Sequence, residues 1–183
     1  MFWPAPIVEP CITIHPWSVE SVGPTFMQTG GTALNSVASS LFLPAANNIF
    51  YIPFYLTKPV LFVDGWWYNG TALSGNADLG IYTIDGAKIV SSGSVATAGA
   101  SALQAAGLAD TQVGPGSFYM ALTASDAGTQ TFFRGVWGQV LAAPAAGVFE
   151  EAAGGFGLPA TATFASATTN YLPVFGLSLR TLV

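Results

Sequence analysis

The amino-acid sequence predicts an all-β protein: an antiparallel β-sandwich or jelly roll of about eight strands, preceded by an extended N-terminal arm. From Ser39 onwards, short runs rich in aromatic and β-branched residues alternate with Gly, Pro, Asn and Asp, which is the pattern of strands and turns. No window carries the long, capped amphipathic pattern of a helix. A chain of 183 residues fits one ordinary domain with an added arm.

Residues 1–36 form the predicted arm. Its prolines, spaced from Pro4 to Pro16, forbid a helix and favour extended backbone. The arm also carries large apolar side chains, in which disordered tails are poor, so we expect it to pack on its own body or on a neighbouring subunit. The candidate contact residues of the arm are Phe2, Trp3, Ile7 and Trp17.

Residues 37–183 form the predicted sandwich domain. Its strand-like runs are SSLFLP, NIFYIPFYL, PVLFVDGWWYNG, ADLGIYTI, AKIVSSGS, SFYMALTA, TFFRGVWGQV and YLPVFGLSLR. Asp85-Gly86 suits the positive φ angles of a type I′ hairpin turn, and Asn69-Gly70 has the same chemistry. Gly114-Pro115-Gly116 predicts a further turn, which separates the preceding run from SFYMALTA.

Two segments rich in Ala, Gly and Ser interrupt this pattern, at residues 92–111 and in a long insertion near residues 142–169. Their glycines and threonines favour long loops over short helices. The insertion is long for a loop of a compact domain. Its Phe149, Phe156 and Phe164 indicate that it packs on something.

Several predicted strands are apolar on both faces. In the hairpin Asn76–Val90, Leu79 and Ile81 share one face, while Tyr82 and Ile84 make the other face apolar too. The runs SFYMALTA and TFFRGVWG repeat this pattern. Because an antiparallel sheet normally packs one face on the core and leaves the other in water, the second faces need cover. That cover comes from the arm, from the long loop or from a neighbouring subunit.

The low charge of the chain bears on its partners. Only 7% of residues are charged, against about 25% in an average soluble domain, so we expect other protein to cover much of the surface. Four Lys and Arg residues against nine Asp and Glu residues cannot form a phosphate-binding patch, which argues against nucleic acid and against an anionic membrane as partners. The N-terminus lacks the pattern of a signal peptide, so we expect the chain to be made in the cytoplasm.

Catalytic and metal-binding patterns are weak. His15 and Cys11 are the only histidine and cysteine, which excludes a multi-histidine metal site, a disulfide framework and a thiolate cluster. The adjacent Glu150 and Glu151 point in different directions, which argues against a catalytic pair and predicts a solvated helix start or turn. The remaining aspartates are expected to cap backbone amides at strand ends or turns: Asp64, Asp78, Asp85, Asp110 and Asp126. We therefore expect no enzyme, no cofactor and no metal.

The richest aromatic cluster lies in VDGWWYNG, where Trp66, Trp67 and Tyr68 are consecutive. In a strand, at least one of them points away from the core. Trp and Tyr are enriched in the centres of subunit interfaces, and they also form the platforms of sugar-binding modules. Given the low surface charge, we favour a subunit contact over a sugar platform.

The run GNADLGIYTIDGAKIVSSGSV, followed by GPGSFYMALTA, resembles a β-sandwich (jelly-roll-like) module in structural proteins of tailed bacteriophages. The resemblance covers about Asn48 to Val136, and neither the arm nor the Ala/Gly-rich insertion. The residues that carry it are Asp78, Gly80, Ile81, Tyr82, Asp85, Gly86, Ser92, Gly93, Ser94, Pro115, Gly116 and Tyr119. It implies a non-enzymatic virion protein: a capsid decoration, a fibre or spike subunit, or a tail component.

Under this interpretation the chain is made in the host bacterial cytoplasm and ends in the virion. Its expected partners are other virion proteins and further copies of itself, with a trimer favoured among the homo-oligomers. The arm docks the subunit, and the second apolar face of the hairpin meets a partner. The alternative is a carbohydrate-binding β-sandwich module for host-surface attachment, with a host glycan bound on Trp66, Trp67 and Tyr68.

Overall fold

The computed structural model describes residues 13–14, 38–42, 46–126, 128–136, 148–167 and 171–180. Within these ranges every regular element is a strand, which confirms the predicted all-β class, and no helix there is long and apolar enough to cross a membrane. The strands are β1 (Thr13–Ile14), β2 (Ala38–Phe42), β3 (Asn48–Leu56), β4 (Val60–Tyr68), β5 (Asn76–Thr83), β6 (Lys88–Ser91), β7 (Val95–Ala96), β8 (Leu103–Val113), β9 (Gly116–Ala124), β10 (Thr131–Val136), β11 (Phe149–Ala152), β12 (Ala165–Ser166), β13 (Tyr171–Pro173) and β14 (Phe175–Arg180).

The strands form three sheets, and every described strand pairing is antiparallel. A four-stranded sheet has the order β1-β14-β4-β8. A seven-stranded sheet has the order β12-β11-β3-β9-β5-β6, with β7 also paired to β5. A three-stranded sheet, β13-β10-β2, adjoins the end of β4 through a bridge between Asn69 and Phe132.

The main hydrophobic core lies between the four-stranded and the seven-stranded sheets, as in a β-sandwich. Strict alternation along β9 sends Met120 and Leu122 into this core and Tyr119 and Ala121 to the opposite face, as the sequence predicts. The fully buried aromatic residues of this core are Phe50, Phe54, Phe62, Trp67, Phe132 and Phe175.

The β5–β6 hairpin turns at Asp85-Gly86 as predicted, but the predicted type I′ turn is wrong. Thr83 and Ala87 flank a three-residue loop, in which the Gly86 N–H donates to the Thr83 carbonyl at 3.0 Å. Only Gly86 of this loop has positive φ, at 88°, whereas a type I′ turn needs two such residues. The left-handed conformation of Gly86 at the end of the loop is compatible with the right-handed twist of the two strands. Asp85 therefore does not need a positive φ angle.

Asn69-Gly70 is not a hairpin turn, which corrects a second prediction. The Asn69 side chain is fully buried and accepts a hydrogen bond from Trp67 Nε1 at 3.0 Å. Its own Nδ2 donates to the Ala98 carbonyl at 2.7 Å and to Gln104 Oε1 at 2.9 Å. A buried amide with these partners fixes the corner where β4 ends, which a turn residue facing water does not do.

The Ala/Gly-rich segments contain strands that the sequence predicts as loops, so the prediction of about eight strands is too low. The longest of the described strands, β8, begins in the first segment and runs past its end, and β11 and β12 lie in the second. Ala and Gly have low intrinsic strand preference. In β8 the pairing with β4 and the burial of Ala106, Leu108 and Val113 outweigh that preference.

Candidate interaction surface

The outer face of the four-stranded sheet carries an aromatic pair from the predicted cluster. Residues directly opposite in an antiparallel pair share a face. The register sets Trp66 of β4 beside Ala105 of β8 and Gly176 of β14, and it sets Tyr68 beside Leu103. Trp66 is therefore flanked on both sides by small residues.

This face is partly open in the single chain. Leu103 is 57% exposed, Ala105 and Gly107 are exposed, and Trp66 and Tyr68 are half-buried. We refer to Trp66, Tyr68, Leu103, Ala105 and Gly107 as the outer patch. Leu103, Ala105 and Gly107 belong to β8, which the sequence predicts as a loop, and their alternation with the inward Gln104, Ala106 and Leu108 is the signal that identifies them.

Tyr68 is held in place by its surroundings. Its ring meets Phe133 edge-on, with the ring centroids 4.6 Å apart. Its hydroxyl donates to the Ser101 carbonyl at 3.2 Å. These contacts fix the tyrosine and leave less of its ring surface for stacking against a ligand.

The other predicted contact residues have different positions. Trp67 is fully buried in the main core, so it does not contribute to a surface contact or to a three-ring sugar platform. Alternation explains this, because Trp66 and Tyr68 take the outer face of β4 and leave the inner face to Trp67. Phe2, Trp3, Ile7 and Trp17 lie outside the described residues, as do Cys11 and His15.

The outer face of the seven-stranded sheet is covered by the chain itself. Residues 153–164, here called the cover segment, follow β11 and pack over the sheet. The cover segment and the outer face of the sheet together bury a second hydrophobic cluster, here called the outer cluster. It is formed by Ile49, Tyr51, Tyr82, Tyr119, Ala121, Phe149, Leu158 and Phe164. The expectation that the second face of the hairpin meets a partner is therefore wrong for Tyr82, whose cover is the long loop.

Hydrogen bonds from the hairpin strands hold the cover segment at Leu158 and Pro159. Asp78 Oδ2 accepts from the Leu158 N–H at 3.0 Å, and Lys88 Nζ donates to the Leu158 carbonyl at 2.6 Å. The Tyr82 hydroxyl donates to the Pro159 carbonyl at 2.7 Å. Asp78 thus caps a backbone amide as predicted, although it lies within a strand and the amide belongs to a distant segment.

A second set of hydrogen bonds holds the far end of the cover segment. Glu151 accepts from the Tyr51 hydroxyl at 2.6 Å and from the Thr163 N–H at 2.9 Å through the same oxygen, Oε2. Glu150, its neighbour in β11, is itself buried, so the predicted solvated helix start or turn is wrong. The two carboxylates of a strand point to opposite faces and do not form a catalytic pair.

Burial sets the ionisation of the tyrosines in the outer cluster. It raises the pKa of Tyr82 above its ordinary value, and it raises the pKa of Tyr51, to which the hydrogen bond with Glu151 also contributes. Burial likewise raises the pKa of Tyr119. These tyrosines are therefore neutral packing and donor groups at neutral pH.

The remaining carboxylates serve turns or lie in strands. Asp126 accepts from the Gly128 N–H at 2.8 Å and from the Thr129 N–H at 3.2 Å, as predicted for a turn aspartate. A hydrogen bond with the Ser74 side chain, followed by that of Gly128, lowers the pKa of Asp126. Asp64 and Asp110 lie inside β4 and β8 rather than at turns.

Within the described ranges, no three His, Cys, Asp or Glu residues group closely enough to hold a metal ion. Of the two outer sheet faces described above, one is covered by the chain itself and one is partly open. Comparisons of the chain with models of protein families, with curated proteins and with solved structures found no match.

Proposed function

We propose that this chain is a non-enzymatic structural protein of a bacteriophage particle, serving as a capsid decoration, a fibre or spike subunit, or a tail component. It assembles through its arm and through an apolar sheet face, with further copies of itself and other virion proteins as partners. The proposal rests on the bacteriophage resemblance of residues 48–136 and on the low charge of the chain.

The outer patch is the observation that carries the assembly part of this proposal. An exposed Leu103 opposite Tyr68, on the same face as a Trp66 that is flanked by Ala105 and Gly176, is the composition of an interface centre. On the seven-stranded sheet, the cover segment of the same chain packs over the outer apolar face. The outer patch, on the four-stranded sheet, is then the apolar face that a neighbouring subunit covers.

The test is the mass of the full chain in solution, measured by light scattering over a range of concentrations. We expect a defined oligomer, and we expect Leu103→Ser to shift its mass towards the monomer. Burying a leucine is worth about 2 kcal/mol, so the substitution weakens association by roughly 30-fold. Ile84→Ser is the matched control, because Ile84 is 49% exposed but lies at the β5–β6 turn, away from the patch. A wild-type chain that stays monomeric contradicts the proposal.

The second candidate is a carbohydrate-binding module for host-surface attachment, and Trp66 on the outer face is the observation that favours it. The predicted three-ring platform is reduced to Trp66 and Tyr68, since Trp67 is buried. A glycan array with the wild type and with Trp66→Ala tests it. Glycan binding that the substitution abolishes supports this alternative over assembly.

A further inference from the structure

Strand β8 forms one edge of the four-stranded sheet, and its pairing among the described strands is with β4. It has 11 residues, whereas the other described strands at sheet edges have two to five. Proteins protect sheet edges from pairing with other chains by short strands, lysine, proline and bulges. Residues 103–107, here called the edge segment, carry no charge and no proline, and they pair with β4 without a bulge. Within the described residues, this stretch of edge is open to a further strand.

The hydrogen bond before β8 shows which backbone groups of the edge segment are turned outward. The Asn69 N–H donates to the Ala102 carbonyl at 2.9 Å, so the backbone groups of Ala102 face β4. Successive residues of a strand turn their N–H and C=O groups to alternate sides. Those of Leu103, Ala105 and Gly107 therefore point away from β4. Each of these three residues offers one donor and one acceptor to a strand added at this edge.

The edge segment is complementary to a second copy of itself. If two such segments pair antiparallel about a two-fold axis at Ala105, Leu103 of each copy lies opposite Gly107 of the other. A Cβ on Gly107 meets nothing within 4 Å, and Leu103 is 57% exposed, so the leucine has room beside the glycine. Because the segment is uncharged, no like charges face each other. A longer pairing would reach the bulge between Gly107 and Thr111, which contains the exposed Asp110.

We propose that β8 of one copy pairs antiparallel with β8 of a second copy along residues 103–107, so that the two four-stranded sheets join into one. This inference rests on the proposed assembly function and specifies its contact. The outward residues Leu103, Ala105 and Gly107 exchange backbone hydrogen bonds with their counterparts. The outer patches of the two copies then form one continuous face. A two-fold contact makes a dimer, or a larger assembly of dimers, rather than the trimer that the sequence favours.

A single cysteine at the axis tests this register. Ala105 of one copy lies opposite Ala105 of the other, with Cα atoms about 5.5 Å apart, within the range that a disulfide spans. The experiment uses the full chain with Cys11→Ser and Ala105→Cys, oxidised in its assembled form and denatured for a non-reducing gel. We expect most of the chain to run as a covalent dimer that returns to monomer on reduction.

Ala109→Cys in the same background is the matched control. Ala109 is also an exposed alanine of β8, but it lies four residues from the axis. The proposed register therefore separates the two copies of residue 109 by about 27 Å along the strands, too far for a disulfide. We expect this variant to remain a monomer on the same gel.

A charge at the axis tests the contact without a crosslink. Ala105→Lys sets two ammonium groups opposite each other and is expected to shift the mass measured by light scattering towards the monomer. Because Ala105 is exposed, we expect the subunit to keep its fold and its cooperative thermal unfolding. Ala109→Lys adds the same charge outside the pairing and is expected to keep the wild-type mass.

The two experiments together separate the possible failures. An oligomer in which Ala105→Cys gives no more covalent dimer than Ala109→Cys overturns the edge pairing and leaves assembly standing. A crosslink at residue 105 with an unchanged mass for Ala105→Lys reports chance encounters and also overturns the pairing. A wild-type chain that stays monomeric at every concentration overturns both the pairing and the proposed function.

Discussion

The carboxylate of Asp78, the third residue of β5, accepts a hydrogen bond at 3.0 Å from the backbone N–H of Leu158, 80 residues further along the chain. Asp78 is buried, and its second oxygen accepts from the Ser92 hydroxyl at 3.3 Å. One side chain thus connects β5, the residue that directly follows β6, and the cover segment. This contact makes the cover segment part of the folded domain.

Asp78→Asn is expected to destabilise the protein by about 1–3 kcal/mol. The amide presents an N–H group where the carboxylate accepted two hydrogen bonds, so a buried donor loses its partner. Chemical denaturation measures the loss. Asp85→Asn is the control, since Asp85 is exposed in the turn and its substitution is expected to change stability by less than about 0.5 kcal/mol. Equal losses for the two variants contradict the role of Asp78.

Tyr82→Phe is expected to cost about 0.5–1.5 kcal/mol at neutral pH, because it removes the donor to the Pro159 carbonyl. Tyr55→Phe is the control, since Tyr55 is 46% exposed on the same sheet and is expected to lose little. The measurement is the free energy of unfolding from denaturant titration. If both substitutions leave stability unchanged, the hydroxyl does not hold the cover segment.

Stability is also expected to fall as the pH rises above about 10. Burial raises the pKa of Tyr82 and of Tyr51 in the folded protein, so the unfolded chain loses these protons first. The stabilisation is fully present below the unfolded pKa and is lost as the pH rises through the window up to the folded pKa. Each tyrosine contributes a slope of up to about 1.4 kcal/mol per pH unit. Denaturation between neutral and alkaline pH checks this, and Tyr82→Phe is expected to reduce the slope.

Gly65→Ala is expected to destabilise the sandwich by about 1–3 kcal/mol through overpacking. A Cβ on Gly65 lies 2.3 Å from Leu79 Cδ2, and Leu79 is fully buried in the main core between the sheets. Gly154→Ala is the control, since a Cβ there meets nothing within 4 Å and Gly154 lies outside the outer patch. Thermal denaturation compares them. Combining Gly65→Ala with Leu79→Ala is expected to cost less than the sum of the two, because the clash is relieved.

Asn69→Ala is expected to cost about 2–4 kcal/mol, because it leaves the Trp67 Nε1 donor and the Ala98 carbonyl acceptor without the buried amide. Gln112→Ala, an exposed amide on β8, is the control and is expected to be nearly neutral. The free energy of unfolding is the measurement. A loss below about 0.5 kcal/mol for Asn69→Ala shows that the network is not needed.

The sequence predicts those parts of the fold where side-chain alternation is strong. Strand β9 has Met120 and Leu122 on one face and Tyr119 on the other, and the two hydrophobic clusters of the structure divide them in that way. Turn chemistry also predicts the β5–β6 hairpin correctly. Side-chain alternation and turn composition are both local signals, so neighbouring residues in the sequence are sufficient to predict these elements.

The parts that the sequence does not predict depend on distant partners. Strand β8 has few residues that favour strands, and β4 supplies the pairing that makes it one. Asn69 has the chemistry of a turn residue, but Gln104 and Trp67 give it a buried role. The outer patch could not be predicted for the same reason. It forms only if β8 is a strand and if the register of β8 against β4 places Leu103 beside Tyr68.

The position of the cover segment late in the chain has a consequence for biosynthesis. A ribosome releases β3, β5 and β9 before residues 153–164 exist, so Tyr51, Tyr82 and Tyr119 emerge as a sheet face without its cover. At about 5–20 residues per second, this interval lasts some seconds. During it the nascent chain offers an aromatic surface to chaperones and to other nascent chains. Slower translation of the last quarter of the chain is then expected to prolong the time for which this surface lacks its cover.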